Sequence, residues 1–188
     1  MEKPKILNVQ EDLSIPWFKQ IKKTVLFPND SKPQLYYSIK PPDYVTVLAQ
    51  TTDKKVIILK QFRPSVEDYT FELPSGHVEN GETHFQAVIR ELREETGCIA
   101  KDVTLLGEVI PDTGRLENRL WAYYIEVEVV NFLKPEHNEG IEAYLVSCEE
   151  LFHMIESGKF NHALDLSVIV LAILKKYISA PFQGDMII

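Results

Sequence analysis

The sequence predicts an α/β sandwich built on a mixed sheet, with a β-hairpin ahead of it. Three features of the chain point there. Residues 44–50 (YVTVLAQ) and 55–61 (KVIILKQ) are apolar, β-branched runs joined by the turn Thr52-Asp53-Lys54, as fully buried strands are. Over residues 82–96, Phe85, Val88, Ile89 and Leu92 recur at i, i+3, i+4 and i+7, the spacing of a helix lying on a core. Further strand patterns and two helical segments follow. Mixed strands with one central and two terminal helices pack as a layered sandwich.

Taken in order, residues 1–15 are polar and are expected to be loosely held. Two alternating segments, 18–27 and 34–39, flank the turn Pro28-Asn29-Asp30-Ser31 and read as a hairpin. Pro41-Pro42 then breaks the chain. Arg63-Pro64 ends the second core run, and residues 69–73 form a short strand leading to Gly76. The central helix stops at Gly97. Residues 103–110 and 120–130 read as strands around a turn-rich loop, 111–119. A loop over 134–140 leads to a strand at 141–146. Residues 149–156 read as a helix capped at Ser147 or Cys148 and stopped by Gly158. Residues 162–177 are apolar on most of their surface, so that helix is expected to be buried. No repeat or linker interrupts the chain. Residues 1–40 are expected to serve dimerisation and substrate contact, and 41–188 to form the domain that does the chemistry. A free hairpin is marginally stable at best. Trp17, Phe18, Phe27, Tyr36 and Tyr37 therefore predict a homodimer interface on it.

Composition narrows the function. The chain has 188 residues and a formal net charge of -8, which argues against a non-specific grip on nucleic acid or anionic membrane. An anionic substrate would need metal ions or local arginines. Cys98 and Cys148 lie far apart without CxxC spacing, so free thiols are expected rather than a disulfide or zinc site. The first residues lack the apolar stretch of a signal peptide, and the longest apolar run, 168–174, is too short to span a bilayer. A soluble, cytoplasmic protein is the expectation.

The chemistry concentrates on the central helix. Glu91, Glu94 and Glu95 fall on one arc, with Glu91 and Glu95 one turn apart. Like charges at that spacing destabilise a helix by a few tenths of a kcal/mol. Such a run is most often a solvated acidic face. Here three carboxylates in five residues call for a positive partner, and a hard, oxygen-loving cation such as Mg²⁺ suits them.

The whole stretch, GHVENGETHFQAVIRELREETGC from Gly76 to Cys98, resembles the Nudix box, G-x5-E-x7-R-E-U-x-E-E-x-G-U, where U is a bulky aliphatic. Gly76, Glu82, Arg90, Glu91, Leu92, Glu94, Glu95 and Gly97 match, and only Cys98 departs, as a small hydrophobe. The chain is identified as a member of the Nudix hydrolases, which cut the pyrophosphate of a nucleoside diphosphate linked to another moiety. The resemblance implies a Nudix-type α/β/α sandwich and Mg²⁺ or Mn²⁺ held by Glu91 and Glu95. Glu94 would bind a further metal or its water, and the backbone carbonyl of Ser75 would complete the shell. It also implies that Arg90 pairs with Glu82, a structural clamp, while Arg93 is surface charge.

A second resemblance covers Leu59-Lys60-Gln61-Phe62-Arg63-Pro64, Tyr69 and Glu72-Leu73-Pro74-Ser75-Gly76, which is similar to the ADP-ribose and ADP-sugar pyrophosphatase branch. There the arginine contacts the diphosphate, here Arg63, whose guanidinium fork suits phosphate oxygens. An aromatic of the N-terminal segment stacks on adenine, which nominates Trp17. The catalytic base comes from the loop before the last strand. Glu139 is the candidate and Glu136 the runner-up, with His137 a competitor on pKa alone. The branch usually carries a proline where Thr113 stands in Pro111-Asp112-Thr113-Gly114, a loop that touches the terminal sugar. Thr113 is therefore expected to tune the sugar accepted, in a more polar and mobile loop. The products would be AMP and a sugar phosphate. The alternatives are another nucleotide sugar or a dinucleotide as substrate, or a nucleotide-binding regulator of the same fold. The intact Glu91, Glu94 and Glu95 set argues against the last.

Overall fold

The computed structural model describes residues 5–12, 17–129 and 140–181. The chain forms two compact units, residues 1–43 with 110–120, and residues 44–109 with 121–188.

The first unit is a three-stranded antiparallel sheet ordered β1-β2-β3, from β1 (Lys5–Asp12), β2 (Lys19–Leu26) and β3 (Gln34–Lys40). The hairpin read from the sequence is β2–β3, with Val25 opposite Gln34. β1 corrects the expectation of a loose N-terminus, because residues 5–12 pair along β2 from Lys5↔Leu26 to Asp12↔Gln20. All eight of its residues are exposed. A strand that buries neither face has no reason to alternate, so it leaves no period-two signal in the sequence. Ile21 and Val25, on one face of β2, are the buried apolar residues of the sheet. The segment 110–120 adds to the far edge of β3. Ile39 donates its N–H to the Arg115 carbonyl (2.8 Å) and accepts from the Glu117 N–H (3.0 Å). Lys23 and Ser38 both bond the Glu117 carboxylate.

The second unit is a seven-stranded sheet with helices against it. Its main path runs β10-β5-β4-β9-β8, from β4 (Tyr44–Thr51), β5 (Val56–Arg63), β8 (Cys98–Val109), β9 (Leu120–Val129) and β10 (Ile141–Val146). β6 (Asp68–Glu72) pairs with β5, and β7 (Ser75–His77) pairs with β4. β4 and β5 meet at Gln50↔Val56 beside their turn. Farther along, β5 pairs with β6 (Leu59↔Glu72 to Arg63↔Asp68) and β4 with β7 (Tyr44↔His77 to Thr46↔Ser75). The two central strands splay, and residues 72–77 cross the gap. β4 is buried on both faces, which explains its unbroken apolar run.

Helix α1 (His84–Thr96) begins at Thr83, whose side chain forms a capping box with Gln86, and ends on Gly97 in the left-handed region (φ 67°). Its Val88 and Leu92 cluster with Val45, Val47 and Ala49 of β4 and Tyr123, Ile125 and Val127 of β9. Phe85, placed on this face by its spacing, is instead 48% exposed. It lies in the first turn, and the buried set shifts to Ala87, Val88, Leu92, Glu95 and Thr96. Helix α2 (Cys148–Glu156) is capped by Ser147, with Gly158 in the left-handed region just past its end. Helix α3 (Ala163–Leu174) lies against β4 and β8. It is less enclosed than its apolar sequence implies: Val168, Ile169 and Ala172 are buried, whereas Val170 and Leu174 face outward. Both cysteines are free, Cys98 buried and Cys148 half-buried. Among the described residues no helix is long and apolar enough to cross a membrane.

This assignment of faces is testable. Leu92→Ala should cost about 2–5 kcal/mol in denaturant unfolding, as a large-to-small change in a packed core does. Phe85→Ala should cost less than about 1 kcal/mol, in the range of exposed substitutions. Equal losses would restore the sequence-based face.

Candidate active site

The site is built where the chain crosses between β4 and β5. Pro74 has no N–H, so residues 73–75 offer two backbone donors, and both end on buried carboxylates. The Leu73 N–H bonds Asp165 Oδ2 in the first turn of α3 (2.8 Å), and the Ser75 N–H bonds Glu95 Oε2 on α1 (2.9 Å). The Pro74 carbonyl accepts from the Val47 N–H (2.9 Å). Gly76 comes next, and its lack of a side chain is required: a Cβ there would stand 1.9 Å from the carboxyl carbon of Glu91. Helix and crossing segment touch through that glycine.

The acidic arc is only partly a solvated one. Glu95 is 6% exposed, and burial, with the charges of Glu91 and Glu72 adding, pushes its pKa up to about 8 against the Ser75 N–H and Arg63, which pull it down. Burial also raises Glu91, against the pull of Arg90. Glu94 is the most accessible of the three. Among the described residues no three acidic, histidine or cysteine side chains converge as a ready set of metal ligands. The cause is visible in their partners. Arg90 NH1 holds Glu91 (2.8 Å) and Glu94 (3.2 Å), while Glu95 is turned onto Ser75. The donor set still fits a hard cation: carboxylate oxygens short of counter-charge, beside a backbone that a glycine lets approach.

Arg90 also makes the clamp implied by the resemblance. Its Nε and NH2 fork onto Glu82 Oε1 and Oε2 (3.0 and 2.9 Å), and NH2 bonds the His77 carbonyl (2.9 Å). Glu82 accepts from the Glu79 N–H as well (3.1 Å), and its pKa is held down chiefly by Arg90. One guanidinium thus ties the glycine turn, β7 and the helix together. Its reach to Glu91 and Glu94 is absent from the sequence reading.

Arg63 lies at the end of β5, and its fork is already engaged. Nε bonds Glu72 Oε1 (2.8 Å) and NH2 bonds Oε2 of the same carboxylate. Glu72 is buried and also accepts from Thr70 (2.6 Å) and Gln61 (3.2 Å). These bonds hold Glu72 ionised against the cost of burial. Asp165 is fully buried, with His162 Nδ1 2.9 Å from its Oδ2. Burial raises Asp165, and Asp165 in turn raises His162. Sequence reasoning passed over Glu72, His162 and Asp165. The signal was one acid, Asp165, in an otherwise apolar helix.

The remaining candidates lie elsewhere. Trp17 (78% exposed) and Thr113 belong to the first unit. In the Thr113 loop, Asp112 Oδ1 accepts from the N–H groups of Gly114 (2.8 Å) and Arg115 (3.2 Å). Glu139, Glu136 and His137 fall outside the described residues.

Removing the clamp should be measurable. Arg90→Ala should lower the melting temperature, since Glu82 and Glu91 keep their charge without a partner. Arg90→Lys should recover little, because an ammonium cannot fork. An unchanged melting temperature with a selectively raised KM would contradict the structural role.

The geometry can be compared with known proteins. Residues 40–164 match the NUDIX domain. An ADP-ribose pyrophosphatase of Bacillus subtilis is 32% identical over 144 residues, covering 76% of this chain and 78% of that one. The ADP compounds hydrolase NudE of Escherichia coli is 24% identical over 177 residues, covering 91% and 92%. A crystal structure of an ADP compounds hydrolase superposes with a TM-score of 0.77 at 21% identity, over 94% of this chain and 95% of that one. With its box glycine packed on Glu91 and its box arginine clamped to Glu82, the chain belongs to the Nudix family.

Proposed function

We propose that this protein is a divalent-metal-dependent pyrophosphatase that cleaves ADP-ribose or another ADP-sugar to AMP and a sugar phosphate. The observation that carries the reading is the pair of carboxylates, buried Glu95 and half-buried Glu91, packed on the Ser75-Gly76 backbone. Acids taken out of water with raised pKa values, packed on a backbone, mark a functional site more readily than a structural one. The names of the relatives supply the substrate class, since both the Bacillus and the Escherichia proteins are named for ADP compounds. Nudix hydrolases generally use divalent metals. Here Glu91, Glu95, Glu94 and the Ser75 carbonyl would hold Mg²⁺ or Mn²⁺. A metal bound there supplies charge neutralisation for the pyrophosphate and a more acidic water.

The protein's own groups divide the remaining work. Arg63 would contact the diphosphate, sharing its guanidinium with Glu72, which fixes the plane of the fork. Trp17 would stack on the adenine, and Thr113 would meet the sugar. Glu139 would take the proton of the attacking water, with Glu94 in support. We place the protein in the cytoplasm and assign it a homodimer formed through the three-stranded sheet. Ile6, Val9, Leu35, Tyr36, Tyr37 and Ile39 leave that sheet rich in exposed apolar surface.

Three measurements decide between readings. A panel of nucleoside diphosphate compounds with Mg²⁺, read by phosphate release after phosphatase treatment, should show ADP-ribose cleaved and other ADP-sugars cleaved measurably. Glu91→Gln and Glu95→Gln should each lower kcat by orders of magnitude on that substrate. An inert ADP-ribose beside a well-cleaved uridine, guanosine or flavin compound would leave the family and remove the ADP assignment. Sedimentation should give a dimer at micromolar concentration, and a species near the 21.6 kDa chain mass would exclude it.

A further inference from the structure

The most heavily buried charge outside the acidic arc is Asp165. It is fully buried in the first turn of α3, close enough to His162, Glu72 and Tyr44 to feel or shift their charge. An acid at a helix N-terminus ordinarily serves the helix itself, through the dipole or by capping. Asp165 does something else. His162 at the N-cap makes no side-chain cap bond, and Asp165 Oδ2 reaches back 92 residues in sequence to the Leu73 N–H (2.8 Å). Its Oδ1 has no hydrogen-bond partner among the described residues. Burying a carboxylate on one backbone bond and one imidazole is costly, and an apolar residue would pack α3 more cheaply.

What the bond secures is the crossing segment. Of residues 73–75, Pro74 donates nothing, Ser75 donates to Glu95, and Leu73 donates to Asp165. The Pro74 carbonyl is fixed on Val47. The segment is thus held between α3 on one side and α1 on the other, with the Ser75 N–H on Glu95. Releasing Leu73 removes the hold from α3 and leaves Ser75 with its pairing to β4 and its bond to Glu95, a carboxylate that is itself a proposed ligand.

We propose that Asp165 is a positioning residue: through the Leu73 N–H it fixes the Ser75 backbone relative to Glu95, and so sets the affinity of the site for its divalent cation. His162, 2.9 Å from Oδ2, supplies the neighbouring positive charge when protonated. This rests on the reading of Glu91, Glu95 and Ser75 as the metal site. Partners of metal ligands typically change metal affinity about 10–100-fold when removed.

The test is a Mn²⁺ titration of the substrate-free protein by electron paramagnetic resonance, with kcat and KM measured in parallel well below the melting temperature. Asp165→Ala should weaken Mn²⁺ binding about tenfold or more and lower kcat with little change in KM. Asp165→Asn keeps an acceptor oxygen for Leu73 and should stay within about threefold of the parent, well short of that loss. A folded Asp165→Ala protein that binds Mn²⁺ like the parent, with only a lower melting temperature, overturns the proposal. Should Asp165→Ala fail to fold, Asp165→Glu decides. It keeps the charge but displaces the oxygen by a methylene, so weakened Mn²⁺ binding supports the proposal and unchanged binding overturns it. A parent protein that does not bind Mn²⁺ at all would instead remove the metal site, and this inference with it.

Discussion

A carboxylate taken out of water loses several kcal/mol of hydration unless hydrogen bonds or opposite charge replace it. Helix α1 does this at both Glu91 and Glu95, one turn apart on the same face. The replacements are partial. Glu95 has the Ser75 N–H, and Glu91 shares one nitrogen of Arg90 with Glu94. Around this deficit the second unit is arranged. β4 and β5 splay so that residues 72–77 can run past the helix, and Gly76 removes the side chain that would strike Glu91. Arg90 then ties the turn before the helix to the helix itself. The stability of the packed core carries a site that is electrostatically unfinished.

The same economy extends outward from the arc. Glu72 and Asp165 are also buried acids, Glu72 paired with the Arg63 guanidinium and Asp165 set 2.9 Å from the His162 ring. Tyr44, in the same neighbourhood, has its hydroxyl pKa raised by burial and by the charges of Asp165 and Glu72. A polyanionic substrate entering this ground needs positive charge brought with it, because the fork of Arg63 is already turned to Glu72. The net charge of -8 makes the point for the chain as a whole. Bound metal ions, as proposed, would answer both needs at once, relieving the buried acids and neutralising the diphosphate.

Much of this was legible in the sequence, and the failures have physical causes. Strands β4, β5, β9 and β10, the central helix and both helix stops at glycine are local patterns, and they stand close to where the pattern puts them. β8 instead starts at Cys98, ahead of the apolar run 103–110. The Arg90–Glu82 clamp came with the box. Phe85 was misplaced because spacing fixes which residues share a face, not whether the first turn projects beyond the core. β1 was missed because an exposed strand does not alternate. The engagement of Arg63 by Glu72 depends on the register of β5 against β6, and the bond from Leu73 to Asp165 joins residues 92 positions apart. No periodicity encodes such contacts. A charge inside an apolar run, as at Asp165, is the trace they leave.

Burial of Glu95 is a cost to the metal-free fold that a bound cation would relieve. Thermal unfolding of the parent and of Glu95→Gln, each with and without Mg²⁺, tests this most directly. Glutamine fills the same space with neither a buried charge nor a proton to take up, so the metal-free variant should melt no lower than the parent. Mg²⁺ should raise the parent's melting temperature, as any ligand of the native state does, and leave the variant's nearly unchanged. A metal-free variant clearly less stable than the parent, together with equal Mg²⁺ shifts in both, would contradict it.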